Sequence, residues 1–317
     1  MHIFIFGQRR GEESGYIFRM IDYEISHRNG YFIELAQIAD AEFSRCLEVS
    51  RRSRSELIFG FISALKILMI ELPRRYRLSD EVVHVCAKDQ RHRSRMKGVV
   101  FHYCSAPMSV VRICSERAEM LVTDPVTSCL QMSAFCSREE ATVLFDWLTR
   151  RSNSQKMENV QRLEALVGIH QKFKGKENAR WAISHCRMNT DSSMETRFRL
   201  MLYENHLGDP MVNPLFTDPL TQRVWYMDLV LIEVGLVFEY QGREWHSSNK
   251  SLENDSEKSL AMHRYGLTPI AVVSAFIFDP VKREKFIESV RWIKKEREKT
   301  LTDKQRAIFV NLFREIR

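Results

Sequence analysis

The sequence predicts an α/β protein, more closely α+β, in two parts: a mixed sheet flanked by helices in the C-terminal half and a smaller α+β domain before it. Three observations predict this. Between residues 192 and 280 the signals run helix, strand, strand, helix, strand. In the first half, two runs rich in β-branched residues, EVVHVCA and GVVFHYC, lie among helix-like stretches. A polar patch, RRSNSQKMEN, separates the two patterns, and a chain of 317 residues is long enough for two domains.

In chain order, residues 3–6 read as a short apolar strand and residues 32–49 as a helix. Residues 57–71 are apolar except at Lys66 and Glu71, which predicts a buried helix ended by Pro73. EVVHVCA and GVVFHYC are strands with a basic loop between them. MLVTDPVTSCLQMS reads as a strand, a Pro-initiated turn and a helix. SREEATVLFDWLTRR opens with a capping-box pattern, Ser137 with Glu140. These signals predict a poorly defined segment at 1–50, a second segment at 51–150, and a helical connector with the main domain at 151–317.

In that last part, SSMETRFRLMLYENHLG is an amphipathic helix capped by Ser192 or Ser193 and ended by Gly208. Met194, Phe198, Met201 and Leu202 form its apolar face, which leaves Glu195 near its start. Two strand-like runs follow within residues 225–246, WYMDLVLIEVGLVFEYQGREWH. DSEKSLAMHRYG is helix-like, with Asp255 and Lys258 at its opening and Gly266 as its stop. TPIAVVSAFIF then reads as one apolar strand.

The two strand-like runs each carry an acid, Asp228 in the first and Glu239 in the second. An ionised carboxylate in an apolar strand is expensive unless something pairs with it. If the connection is centred on Glu233 and Val234, Asp228 lies opposite Glu239, with Cβ atoms roughly 5 Å apart. Two bare carboxylates at about 4 Å repel by around 4 kcal/mol at an effective dielectric near 20. A hard divalent ion, Mg²⁺ or Mn²⁺, relieves that repulsion and favours carboxylate oxygens and water. The plainer alternative is a pair of strand-end acids reaching solvent or an arginine. Side-chain alternation sets Gln241 on the same face as Glu239.

The net charge is +7 and the isoelectric point about 9.0, which suits a polyanionic partner. Basic residues cluster at Arg51, Arg52 and Arg54; at Arg74, Arg75 and Arg77; between Lys88 and Lys97; and between Lys294 and Lys299. Each cluster alone reads equally as a solvated face. No run of about 18 apolar residues occurs, which excludes a membrane-spanning helix as the expectation. The opening MHIFIFGQRRGEE is charged too soon for a signal peptide. Seven cysteines, an odd number with no CxxC pair, point to free thiols in a reducing cytoplasm and away from zinc sites or disulfides.

The run S-x-M-E-T-R, then D-L-V-L, F-E-Y-Q-G-x-x-W-H, D-x-x-K and a closing glycine resembles the Vsr-like domain of the PD-(D/E)XK restriction-endonuclease-like superfamily. The resemblance covers roughly residues 192–280. It implies a restriction-endonuclease-like mixed sheet and a metal-dependent endonuclease acting on DNA, in defence or repair. It makes Asp228 and Glu239 the metal carboxylates and Glu195 the helix glutamate beside them. His246 matches the histidine just past the strand and is a candidate general acid or base; otherwise it is an ordinary loop histidine. Gln241 stands where the superfamily has lysine. It can hydrogen-bond to a water but cannot supply the charge. Lys258, one helix later, is the candidate for that missing charge, or else part of a solvated helix face. Glu195 alone would also suit a helix start.

Residues 55–151 are similar to the AbiEi-type antitoxin and transcriptional-regulator family, on SELIFGFISALKILMIELP, KGVVFHYCSAP, LVTDPVTSCLQMS and the FDWL helix. That family starts with a DNA-binding winged helix, of which residues 1–50 show no clear form. Two function classes follow: a Mg²⁺-dependent endonuclease, or an inactive nuclease fold serving as a DNA-binding regulator or antitoxin. The expected partners are DNA, a second copy of the chain and a toxin, with no membrane.

Overall fold

The structure, a computed structural model, describes residues 4–9, 12–19, 30–87, 96–103, 108–115, 118–151, 160–169, 172–241 and 249–314. The architecture is mixed α/β, with mixed sheets flanked by helices. The chain divides into two compact units, Met1–Cys186 and Arg187–Arg317. The first is therefore the larger, against the expectation of a smaller N-terminal domain. The division also falls well after the polar patch near residue 151, most of which lies outside the described residues.

The first unit contains β1 (Phe4–Arg9), β2 (Glu12–Arg19), α1 (Gly30–Arg52), β3 (Ile58–Phe59), α2 (Phe61–Ile67), β4 (Val83–Ala87) and β5 (Val99–Tyr103). It continues with β6 (Val110–Cys114), β7 (Glu119–Thr123), α3 (Pro125–Met132), α4 (Arg138–Leu148), α5 (Val160–Ile169) and α6 (Lys176–Ser184). The seven strands run in the order β2-β1-β6-β7-β3-β4-β5. β3 pairs parallel with β7, and β4 parallel with β5; the other pairs are antiparallel. The two earliest strands thus join the same sheet as the strands of residues 51–150, through β1 and β6.

Helix α1 buries Leu35, Ala39, Phe43, Cys46 and Val49, the three-and-four spacing of one helical stripe. Residues 57–71 depart from the single helix expected. Ile58 and Phe59 are drawn into the sheet, between β7 and β4. Gly60 then lets the chain pass close to the Cys86 thiol: a Cβ there would lie 2.4 Å from it. Phe61 takes a left-handed φ of 56° while its N–H donates to Gln131 Oε1 at 2.9 Å. The turn before α3 follows the sequence reading: Asp124 accepts from the Thr127 N–H at 2.6 Å and Pro125 takes the first helical position. The capping box at α4 is half made. Ser137 accepts from the Glu140 N–H, but the Glu140 carboxylate turns to the Arg74 N–H.

The second unit contains α7 (Ser193–Glu204), β8 (Met211–Val212), β9 (Leu215–Thr217), β10 (Val224–Tyr226), β11 (Leu229–Leu231), β12 (Leu236–Tyr240) and α8 (Asn249–Arg264). It ends with β13 (Thr268–Val272), α9 (Ser274–Phe278), α10 (Pro280–Thr300), α11 (Asp303–Leu312) and β14 (Phe313–Arg314). One sheet runs β13-β12-β11-β8, with β13 parallel to β12 and the remaining pairs antiparallel. A small antiparallel sheet runs β10-β9-β14.

Alternation along β11 and β12 gives the larger sheet two apolar faces. Leu229, Leu231, Leu236 and Phe238 pack with Phe198, Met201 and Leu202 of α7 and with Phe286, Ile287 and Val290 of α10. Val230 and Val237 pack on the other face with Ala261 and Met262 of α8 and Phe309 and Leu312 of α11. Burying one such side chain contributes about 1.5–3 kcal/mol. Residues 268–278 are not one strand as expected. β12 offers its last partner at Tyr240, opposite Val272. Beyond it the chain coils into α9, and Phe276 stacks on Phe286 at 4.6 Å between ring centres.

Candidate active site

The site forms at the end of the hairpin of β11 and β12. Leu229 pairs with Phe238, Val230 with Val237 and Leu231 with Leu236 across residues 232–235. That loop has the centre the sequence suggested, and Gly235 closes it with φ +61°. One further step of the register sets Asp228 opposite Glu239. Asp228 does not lie inside a strand, however. It occupies the break between β10 and β11, where the chain leaves the small sheet for the large one. There its Oδ2 accepts the Tyr240 N–H at 2.7 Å, closing the ladder past its last backbone pair.

Glu239 is held from helix α8. Lys258 Nζ donates to Glu239 Oε2 at 2.7 Å and to the Tyr226 carbonyl at 2.8 Å. Both side chains of this pair are largely buried. The second oxygen, Glu239 Oε1, is buried and has no hydrogen-bond partner among the described residues. Burial pushes the Glu239 carboxyl above its ordinary range and the Asp228 charge pushes it further, while Lys258 and the Asp228 backbone N–H oppose both.

Glu195 lies at the start of α7, 6% exposed. Ser192 caps the helix by accepting the Glu195 N–H and returns its own hydroxyl to Glu195 Oε1 at 2.9 Å. Oε2 accepts from the Asp191 N–H at 3.0 Å and from Asn213 Nδ2 at 2.7 Å. Burial is again the first cause that raises this carboxyl, and the Asp228 charge the second. Asp228 is thus the common neighbour of Glu195 and Glu239.

Asn213 joins the two sides of the site. Its N–H donates to the Asp228 carbonyl at 2.9 Å, while its amide reaches Glu195 and the Asn189 carbonyl. The sequence reading missed it. The only trace is the dipeptide Asn213-Pro214, a turn signal, and Asn213 does adopt a left-handed φ of 46°. Two further ties fix α8 against β10: Trp225 Nε1 donates to Asn254 Oδ1 at 3.0 Å, and Arg223 pairs with Glu257. Asn254, Glu257 and Lys258 share one side of the helix, Glu257 and Lys258 lying three and four residues after Asn254.

The structure therefore brings Asp228, Glu239, Lys258 and Glu195 together. Gln241 follows β12, and no hydrogen bond joins its side chain to these four among the described residues. There its N–H donates to the Val272 carbonyl at 2.7 Å and its side chain is exposed. His246 lies outside the described residues. Among the described residues no group of three or more histidine, cysteine, aspartate or glutamate side chains is gathered in metal-binding geometry, and no helix is long and apolar enough to cross a membrane. Comparison with known proteins found no family model, no curated protein and no solved structure that matches this chain.

Proposed function

We propose that the second unit is a metal-dependent phosphodiesterase of the restriction-endonuclease-like kind, acting on DNA. The reading rests first on the resemblance to the Vsr-like domain. The order of α7, three antiparallel strands, α8 and a parallel strand supports it, as do the two acids on facing ends of β11 and β12. The observation that carries it is the state of Glu239. One of its oxygens is taken by Lys258; the other is buried with no hydrogen-bond partner within bonding geometry among the described residues, beside Asp228, whose charge and backbone N–H both act on this carboxylate.

That donor set fits a small divalent cation. Mg²⁺ is commonly held by one or two carboxylates, with water and substrate phosphate filling the rest of its shell, so three protein ligands are not required. Asp228 and Glu239 would hold it. Such an ion supplies Lewis acidity, polarising the phosphoryl oxygen and lowering the pKa of a bound water. The protein's own part is assigned as follows. Lys258 orients Glu239 and carries the positive charge that Gln241 cannot. Glu195 and Asn213 fix the Asp228 backbone, and α8 is held in register by Trp225 and Arg223.

The second reading, an inactive nuclease fold that binds DNA as a regulator, draws on the same ion pair: Lys258 already neutralises Glu239. Purified protein with supercoiled plasmid separates the two. The nuclease reading expects nicking with Mg²⁺ or Mn²⁺, its loss in EDTA, and its loss in Glu239→Gln with DNA binding retained. If wild type is as inert as Glu239→Gln on duplex, single-stranded and mismatched DNA, the regulator reading stands.

A further inference from the structure

The first unit carries a basic surface that the site above does not use. Two basic runs nearly a hundred residues apart, Arg74, Arg75 and Arg77 and then Lys172, Lys174 and Lys176, are pinned to the same turn at residues 133–136. From one side, the Arg77 N–H donates to the Phe135 carbonyl at 2.8 Å and Arg77 Nη2 to the Ala134 carbonyl at 3.0 Å. From the other, Asn178 Nδ2 donates to the Ser133 and Cys136 carbonyls at 3.0 and 3.1 Å. Lys174 Nζ sits 4.8 Å from the centre of the Phe135 ring. Gly175, with φ +86°, lets the second run press so close that a Cβ would lie 2.4 Å from the Ala134 nitrogen. Between the runs lies a cleft of about 460 Å³, lined by the cations Arg77, Lys172 and Lys176. Glu177 also lines it, and its charge is paired with Arg180 at 3.4 Å.

We infer that this cleft binds the phosphodiester backbone of a nucleic acid. A concave surface lined mainly by one sign of charge concentrates a polyanion, and here six cations outnumber the acids Glu139, Glu140 and Glu177 around the turn. The cations extend past the cleft to Arg74, Arg75 and Lys174, which suits a row of phosphates better than a single one. A lipid surface is the poorer fit. Membrane-binding faces set large apolar side chains among the cations, and no exposed large hydrophobic of the described chain lies at residues 74–77, 133–138 or 172–178. The inference takes its partner class from the nuclease reading but places the contact in the other unit, so the two fail separately.

The test uses the full chain with EDTA present and a short labelled duplex, titrated between roughly 50 and 200 mM salt. Lys172→Gln/Lys176→Gln should lower the slope of log affinity against log salt by about 2, one for each lost phosphate contact. Lys285→Gln/Lys304→Gln removes the same charge from exposed positions of the second unit outside the 294–299 cluster and should leave the slope unchanged. Should the first double variant melt differently from wild type, Lys172→Gln alone, at an exposed position, should lower the slope by about 1. Equal slopes for wild type and both Lys172 variants would overturn the inference. So would an equal loss in the second-unit variant, the absence of binding by wild type at low salt, or displacement of the duplex by phosphatidylserine vesicles. Unchanged slopes in a protein that nicks plasmid would remove this surface and leave the nuclease. A lowered slope in a protein that never nicks would do the reverse.

Discussion

Each unit buries a carboxylate beside a lysine, and the two are finished differently. Glu42 on α1 is 2% exposed. Its Oε1 accepts the Ser63 hydroxyl at 2.5 Å, and its Oε2 meets Arg45 at 2.7 Å and Lys66 at 3.8 Å. Lys66 passes on to Asp80 at 2.9 Å, which also takes the Tyr76 hydroxyl. Both Glu42 oxygens are occupied. Glu239 has its lysine as well, but one oxygen remains buried without a partner among the described residues, with Asp228 as its neighbour. An unpaired buried polar atom costs about 1–3 kcal/mol, more when charged. A closed network ties elements of the fold together. An open one carries a standing cost, and under the proposed reading an incoming cation relieves it.

The largest effect that would sharpen this contrast is on activity. Lys258→Met keeps the bulk of the side chain and removes its charge. Single-turnover plasmid nicking should fall by at least roughly 100-fold, as when one preorganised electrostatic contact to a transition state is lost. Retention of full activity would leave Lys258 with only a structural part. The next effect is on stability. Glu42→Gln leaves Lys66 and Arg45 without their shared acid and should lower the urea-derived stability by about 3 kcal/mol, while metal-dependent nicking per folded molecule stays unchanged. A change in metal dependence there would erase the distinction between the two carboxylates.

A smaller effect concerns Asp218, a buried acid of the second unit whose oxygens are all occupied. Burial pushes its carboxyl upward, but the Leu220 N–H, Thr221, Tyr265 and Arg264 outweigh it and hold it down at about 2. A carboxyl depressed in the folded state adds stability above its unfolded pKa, near 3.9. That contribution disappears as pH falls from about 4 towards 2. Asp218→Asn should therefore cost about 2 kcal/mol at neutral pH, and its deficit against wild type should shrink through that acid window. A deficit independent of pH would mean that shape, not charge, holds the β9–β10 connection to α8. The smallest effect is at Gln241. Its exposed side chain puts Gln241→Lys within about 0.5 kcal/mol of wild type in stability, with nicking changed by less than about threefold, because Lys258 already supplies the charge. A large gain in nicking would show that Lys258 does not.

Much of the second unit was legible because its sequence is locally consistent. Ser192 caps α7, alternation assigns each face of β11 and β12, and the loop centre predicts the register that sets Asp228 opposite Glu239. What the sequence concealed depends on tertiary pairing. Nothing local in WYMDLVLI says that the chain changes sheets at Asp228, because β10 finds its partner in β9 and β11 finds its own in β12 and β8. Nothing local in TPIAVVSAFIF marks Val272 as the end of β13, since the limit is set by the length of β12. The basic cleft was hidden for the same reason: its two runs are unremarkable charge clusters until the 133–136 turn joins them. Lys258 was a candidate only through the resemblance, since the residues alone read as a solvated helix face; its contact with Glu239 goes with the ties of Trp225 and Arg223 to α8.

The central claim is that Glu239 keeps an oxygen open for a cation and Glu42 does not. Calorimetric titration of Mn²⁺ into the full chain, wild type beside Glu239→Gln and Glu42→Gln, tests it most directly. The account predicts saturable binding in wild type and in Glu42→Gln, and none in Glu239→Gln at the same concentrations. Equal binding by wild type and Glu239→Gln, or no binding by any of the three, would contradict it.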